Sequence, residues 1–272
     1  TQTPPTAIYT NTESSAASDV YKRQDLSGEV ALVTGATAGL GRRFARVLAA
    51  CGAKVAITGR RRERLEALAG EIRAAGGECE PIPMDMTDRA QIRAGLDRAT
   101  EALGEVTILV NNAGVPDARY ATKIDDQMFD QVVNTNLEGP WILSCAVAER
   151  LMQAQRPGRI INIASMAAFD IQASMPAALY ATTKSALVRM TEAMAVEWAR
   201  FNINVNAIAP GTFASEMVDG MLQRVGDLSQ YFPRQRICDP AQMDSTLLFL
   251  ASPSSECVTG TVVKVDDGQL GR

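Results

Sequence analysis

The chain has 272 residues, 46% hydrophobic and 21% charged, a composition that buries a sizeable core in one or two domains and excludes disordered, collagen-like and low-complexity architectures for most of the length. Its formal charge of -4 lacks the cationic excess with which proteins grip nucleic acid or anionic membranes, so the expected partner is a small molecule. There is no histidine, which removes Ser-His-Asp triads, imidazole bases and His-containing zinc sites, and the five cysteines are scattered without C-x-x-C spacing, so neither a metal site nor a disulfide framework is expected.

Residues 1–27 are rich in Thr, Ser, Pro, Ala and Asn and lack apolar periodicity; they read as a disordered or artefactual N-terminal extension before a single folded domain at 28–272. No run approaches the roughly 20 apolar residues of a membrane span, and no basic flank leads into an apolar stretch near the start. A cytoplasmic location without membrane contact is the expectation.

The first predicted strand, 30–33, runs into Thr34-Gly35-Ala36-Thr37-Ala38-Gly39-Leu40-Gly41 and a helix at 42–50. Glycines there allow close backbone approach to a phosphate, and a helix start leaves unpaired N–H groups pointing at it. The G-x-x-x-G-x-G spacing departs from the more familiar G-x-G-x-x-G, and alone it is also a tight turn; the strand before and the helix after favour the phosphate reading. A second strand at 55–58 is followed by Gly59-Arg60-Arg61-Arg62 and a helix at 62–75. Dinucleotide folds place an acid here to hold an adenosine ribose hydroxyl. Arg60 and Arg61 would instead grip a 2′-phosphate, so NADP(H) is preferred and NAD(H) is still possible.

After a third strand at 79–84, Asp85 either accepts from an adenine amino group or helps to cap the helix predicted at 88–103. The fourth strand, 106–110, ends in Asn111-Asn112-Ala113-Gly114, small residues that permit close approach but that alone make an ordinary Asx turn. A helix at 129–152 and a fifth strand at 159–164 follow, and Ser165 stands at that strand's end. The next long helix begins near Tyr180 and covers 183–201, with Lys184 four positions beyond Tyr180 and therefore on the same face. An ammonium beside a phenol favours phenolate and lowers a pKa that starts at about 10, which would give Tyr180 the acid/base task that histidine usually performs.

Beyond a sixth strand at 203–208, residues 212–238 lose strand character and gather Phe213, Met217, Met221, Leu222, Tyr231 and Phe232, as a lid with an apolar wall would, or a hairpin packed on a neighbouring subunit. Asp239-Pro240 announces a helix through Leu250, and the last strand is 261–265. Continuous apolar strands separated by helices imply an α/β fold: a doubly wound, seven-stranded parallel sheet with helices on both faces. In such a sheet ligands bind beyond the carboxyl ends of the strands, where nearly every unusual residue falls.

Together these motifs resemble the short-chain dehydrogenase/reductase family, from about Leu26 to Gly268: TGxxxGxG at 34–41, NNAG at 111–114, NTNLEG at 134–139, Ser165, YxxxK at 180–184, Pro210-Gly211, and Thr259-Gly260 with Val265-Asp266. The resemblance implies a Rossmann fold and a carbonyl reductase or alcohol dehydrogenase that exchanges hydride between nicotinamide and a ketone/secondary alcohol pair. Tyr180 would be the proton donor or acceptor, Ser165 would hold the substrate oxygen, Lys184 would lower the Tyr180 pKa and bind the nicotinamide ribose, and Asn136 would hold a water connecting Lys184 to solvent. The cofactor-binding set would be Thr34, Gly35, Ala38, Gly39, Leu40, Gly41, Arg60, Arg61, Asp85, Met86, Asn112, Ala113, Gly114, Tyr180, Lys184, Pro210, Gly211 and Phe213, with no metal. Relatives assemble through the helices at 129–152 and 183–201, so a homo-oligomer, tetramer or dimer, is expected. A catalytically silent dinucleotide-binding sensor is the alternative.

The sequence departs from the pattern at four points. Ser165 and Tyr180 are fifteen positions apart, which implies a longer intervening loop lining the substrate site; Ala38 replaces a residue often basic in NADP-preferring members; Ser215 and Asp267 stand where Thr and Gly are usual.

Overall fold

The computed structural model describes residues 25–117, 119–171, 177–227 and 229–269. Its seven strands are β1 (Val30–Val33), β2 (Lys54–Gly59), β3 (Cys79–Pro83), β4 (Ile108–Asn111), β5 (Gly158–Ile163), β6 (Ile203–Pro210) and β7 (Val262–Val265). All pair in parallel, in the order β3-β2-β1-β4-β5-β6-β7. The helices are α1 (Gly39–Ala50), α2 (Arg62–Ala74), α3 (Arg89–Leu103), α4 (Asp126–Val133), α5 (Gly139–Gln153), α6 (Ala178–Trp198), α7 (Glu216–Val225) and α8 (Asp244–Ala251).

The strands are mostly apolar because both faces of the sheet are covered, the edge strand β7, with Lys264 exposed, being the least buried. Val33, Val55 and Ile57 project to one side, against Phe44 and Leu48 of α1, Leu65 and Leu68 of α2, and Leu247 of α8. Their neighbours Leu32, Ala56 and Leu109 project to the other, against Ile92 and Leu96 of α3, Leu143 and Leu151 of α5, and Leu187 of α6. Successive side chains thus feed two separate cores, as the two-residue period of a strand requires.

Several predicted boundaries move, three of them with consequences for the fold or the site. Residues 1–24 of the expected extension lie outside the described residues, but 25–27 belong to the fold: Leu26 is buried in the first core and its N–H donates to Cys51 O at 2.7 Å. The helix predicted at 129–152 starts earlier and is broken into α4 and α5 by a π turn at Asn134–Glu138. Pro140 has no N–H to offer the carbonyl four residues back, so an α ladder cannot run straight through, and Gly139 N–H reaches Asn134 O instead. The helix predicted at 183–201 starts five residues earlier, at Ala178.

The segment expected to be a lid contains α7 and a short 3-10 turn at Ser229–Tyr231, with a single parallel bridge between Phe213 and Cys238 closing its base. Asp239 caps the next turn through a full capping box with Gln242, as its Pro240 neighbour foretold, and α8 follows.

Candidate active site

Strand order reverses between β1 and β4, and at the carboxyl ends of these strands opens a cleft of about 410 Å³. One end is formed by the β1–α1 turn. Gly35 has φ +67 and a Cβ there would come within 2.8 Å of Ala113 Cα; Gly41 is packed against the Asn112 side chain and the Gly35 carbonyl with no room for a Cβ. Thr34 braces this approach from below, its buried Oγ1 accepting from Asn112 N and Ala113 N, both at 3.0 Å. The N-cap of α1, Ala38, supplies no side-chain acceptor and the first turn holds no acid, so its amides are left to an anionic ligand. These features fit the pyrophosphate of a dinucleotide.

Around the far side of that turn lie Arg60 and Arg61. Arg61 is engaged: it donates to Thr37 Oγ1 at 2.6 Å and to Glu216 of α7 at 2.8 Å, and Arg64 pairs with the same carboxylate. No ion pair holds Arg60 among the described residues, and it is exposed at the cleft. The two readings of Asp85 separate cleanly. Its Oδ1 accepts from Thr87 N and Oγ1, making a local turn, whereas the cap of α3 is Asp88, which accepts from Ala90 N and Gln91 N. Asp85 therefore lines the cleft without being the helix cap.

At the other end stand Ser165, Tyr180 and Lys184. Ser165, at the end of β5, takes an N–H from Ala167 and hydrogen-bonds the half-buried Tyr180 phenol. Lys184 is buried one helical turn on, its Nζ donating to Ile163 O at 2.7 Å and standing 5.7 Å from the Tyr180 ring centroid. Burial pushes the Lys184 ammonium down to about 8. The Tyr180 phenol moves the opposite way from the sequence expectation. Burial raises its pKa, the Ser165 hydrogen bond opposes that, and the negative charge of Asp117 adds to the rise.

Asn136 sits fully buried in the π turn. Its Oδ1 accepts from Val115 N at 2.9 Å, and its Nδ2 donates to Val115 O at 3.0 Å and Thr183 Oγ1 at 3.2 Å. Gly114 lets this group and Lys184 crowd together: a Cβ there would be 3.4 Å from Lys184 Nζ and 3.5 Å from Asn136 Oδ1.

Of the residues singled out in the sequence, Gly35, Ala38, Gly39, Leu40, Arg60, Arg61, Asp85, Met86, Asn112, Ala113, Gly114, Ser165, Tyr180, Lys184, Pro210, Gly211 and Phe213 all face this one cleft. Thr34, Gly41 and Asn136 support it from behind. Ser215 caps α7 by accepting from Val218 N, and Asp267, at φ +53, occupies the left-handed region that makes glycine usual there, its carboxylate held by Arg234 and Arg236. The loop expected to line the substrate site between Ser165 and Tyr180 starts with a 3-10 turn at Met166–Ala168, and residues 172–176 lie outside the described residues. Sequence reasoning gave no role to Thr37 and Thr183, variable positions inside the 34–41 and 180–184 motifs, and missed Asp117 and Glu216, which belong to no local motif.

The model of the short chain dehydrogenase family matches residues 29–225. The galactitol 2-dehydrogenase (L-tagatose-forming) of Cereibacter sphaeroides is 36% identical over 246 residues, which are 89% of this chain and 95% of that protein. A short-chain type dehydrogenase/reductase from Mycobacterium marinum superposes with a TM-score of 0.89 at 34% identity, covering 93% of this chain and 100% of the other. A gluconate 5-dehydrogenase from Burkholderia cenocepacia J2315, in complex with NADP and tartrate, superposes with a TM-score of 0.86 at 31% identity, covering 92% and 98%.

Proposed function

The chain belongs to the short chain dehydrogenase family, and on that premise we propose that it is an NAD(P)-dependent oxidoreductase, preferring NADP(H), that interconverts a small ketone and its secondary alcohol. The observation that carries this reading is the placement of a half-buried phenol, hydrogen-bonded to Ser165 and backed by the buried Lys184, in the same cleft as an uncapped helix N-terminus and two arginines.

When bound, the dinucleotide supplies or accepts the hydride. Gly35, Gly39 and the α1 amides receive its phosphates, and Arg60 with Arg61 takes a 2′-phosphate. Asn112, Ala113, Gly114, Pro210, Gly211 and Phe213 form walls that hold it in place. Ser165 Oγ orients the substrate oxygen, and the Tyr180 hydroxyl gives that oxygen a proton in reduction or takes one in oxidation. Lys184 steadies the phenol side of the cleft, and Asn136 ties Val115, in the loop after β4, to Thr183.

The functional unit is a single domain that takes in the buried Leu26, with 212–238 as a lid whose helix α7 excludes water. A homo-oligomer is supported by Phe129, Trp141 and Val196, apolar residues exposed on α4, α5 and α6, and a cytoplasmic location by five free thiols. The test is ketone-dependent oxidation of NADPH over a broad carbonyl panel. Turnover by the wild type and its loss in Tyr180→Phe, with cofactor affinity retained, is the expected result; NADPH binding with no turnover on any carbonyl would make the chain a sensor instead.

A further inference from the structure

Tyr180 lies in the first turn of α6, where backbone N–H groups have no partner within the helix. The N-cap residue, Ala177, has no side chain with which to satisfy them. The acceptor comes from the loop after β4 instead: Asp117 Oδ2 takes the N–H of Leu179 at 2.9 Å and that of Tyr180 at 3.1 Å. Asp117 is only 4% exposed, and its Oδ1 is buried without a hydrogen-bond partner among the described residues.

A neutral cap would satisfy the same two amides without burying a charge, and an unpaired buried carboxylate is costly. That cost points to a use for the charge. The loop that carries Asp117 is itself fixed two residues earlier, where Asn136 clamps both the N–H and the C=O of Val115. Asn136 also donates to Thr183 Oγ1, which donates to Tyr180 O at 2.8 Å. Tyr180 is therefore held at its backbone nitrogen through Asp117 and at its backbone oxygen through Thr183, and both holds lead back to Asn136.

We propose that Asp117 is a positioning residue for proton transfer, fixing where Tyr180 stands and setting a buried carboxylate against the first turn of its helix. The proposal rests on the reading of Tyr180 as the proton donor. Three charged or polar groups act on Tyr180: Lys184 from its own helix and Ser165 from the end of β5, both beside the phenol, and Asp117 from the β4–α4 loop, at its backbone N–H. Lys184 spends a donor on Ile163 O, and the Asp117 charge raises the phenol's pKa on top of burial. The protonated phenol is the donor that ketone reduction needs, and the Asp117 charge extends to higher pH the range over which it stays protonated.

The test compares Asp117→Asn, which keeps an acceptor oxygen but removes the charge, with Asp117→Ala, which removes both. Ionisation of Tyr180 is read from the ultraviolet tyrosinate signal, taken as the difference between each protein and the same protein carrying Tyr180→Phe, across a pH titration. In Asp117→Asn the phenol titrates at lower pH than in the wild type, by about half a pH unit or more. In Asp117→Ala kcat for ketone reduction falls about tenfold or more with the KM for NADPH little changed, and Asp117→Asn recovers part of that loss. Coincident titration curves for Asp117→Asn and the wild type would overturn the proposal, as would wild-type kcat in Asp117→Ala. If the alanine variant does not fold, the titration of Asp117→Asn decides alone. Ketone reduction surviving in Tyr180→Phe would instead remove Tyr180 as the donor, and the titration would still report on Asp117.

Discussion

Arg61 and Glu216, 155 residues apart in the chain, meet at 2.8 Å across the cleft, so that a carboxylate from α7 holds a guanidinium suited to a 2′-phosphate. Arg64 shares the same carboxylate. The phosphate must compete with Glu216 for Arg61, and the competition couples the adenosine end of the cleft to α7. Glu216→Gln removes the competitor. Because the pair is half exposed, the gain is modest: NADPH binds about two- to fivefold more tightly at low salt, NADH binding hardly changes, and the difference fades at high salt. Calorimetric titration of both cofactors checks this, and an unchanged affinity ratio would show that Arg61 is not the phosphate ligand.

Arg60, exposed at the cleft and in no ion pair among the described residues, is the more available cation. Arg60→Asp should lower the NADPH/NADH ratio of kcat/KM by about tenfold or more, since a carboxylate repels a 2′-phosphate but accepts from a ribose hydroxyl. Steady-state kinetics with both cofactors measure that ratio directly.

The sheet was legible because most strand residues are apolar and the Gly35–Gly41 turn falls at a strand end; these are local signals. The same holds for Tyr180 and Lys184, joined by helical spacing, and for the Asp239 cap. What escaped depends on contacts between segments far apart in the chain. The first turn of α6 went unread because its cap, Asp117, is 62 residues from Leu179. Glu216 offered only an acid at the start of a helix, with no sign of the arginines it would reach. The upward move of the Tyr180 pKa follows from burial and Asp117 together, whereas the sequence offered only the favourable neighbour, Lys184. The break at Asn134–Glu138 had a visible cause in Pro140, and reading the missing amide would have found it.

Asn136 makes three hydrogen bonds from a fully buried side chain, to Val115 N, Val115 O and Thr183 Oγ1. Asn136→Ala removes the partner of both partly buried Val115 backbone groups and one partner of the buried Thr183 side chain. The expected loss is about 2–3 kcal/mol of unfolding free energy, with kcat falling more than cofactor affinity because both backbone holds on Tyr180 slacken. Urea unfolding and single-turnover kinetics test the two parts; a stable variant with normal kcat would mean that the Val115 clamp is not needed.

Lys184 makes stability depend on pH in a window set by its own burial. Its ammonium has an ordinary pKa of 10.5 in the unfolded chain and about 8 in the fold, so between those values the unfolded chain binds more protons. Raising the pH through this window removes the cost of burying the charge, and the fold gains up to about 3 kcal/mol from this group relative to its value at neutral pH. Lys184→Met fills the space without titrating. Unfolding free energies of the wild type and the variant should therefore converge or cross as the pH rises from about 8 toward 10.5, the wild type gaining on the variant throughout. Below pH 8 the offset between them should be flat. Parallel curves across the window would mean that the buried nitrogen keeps its ordinary pKa, held charged by the Ile163 carbonyl.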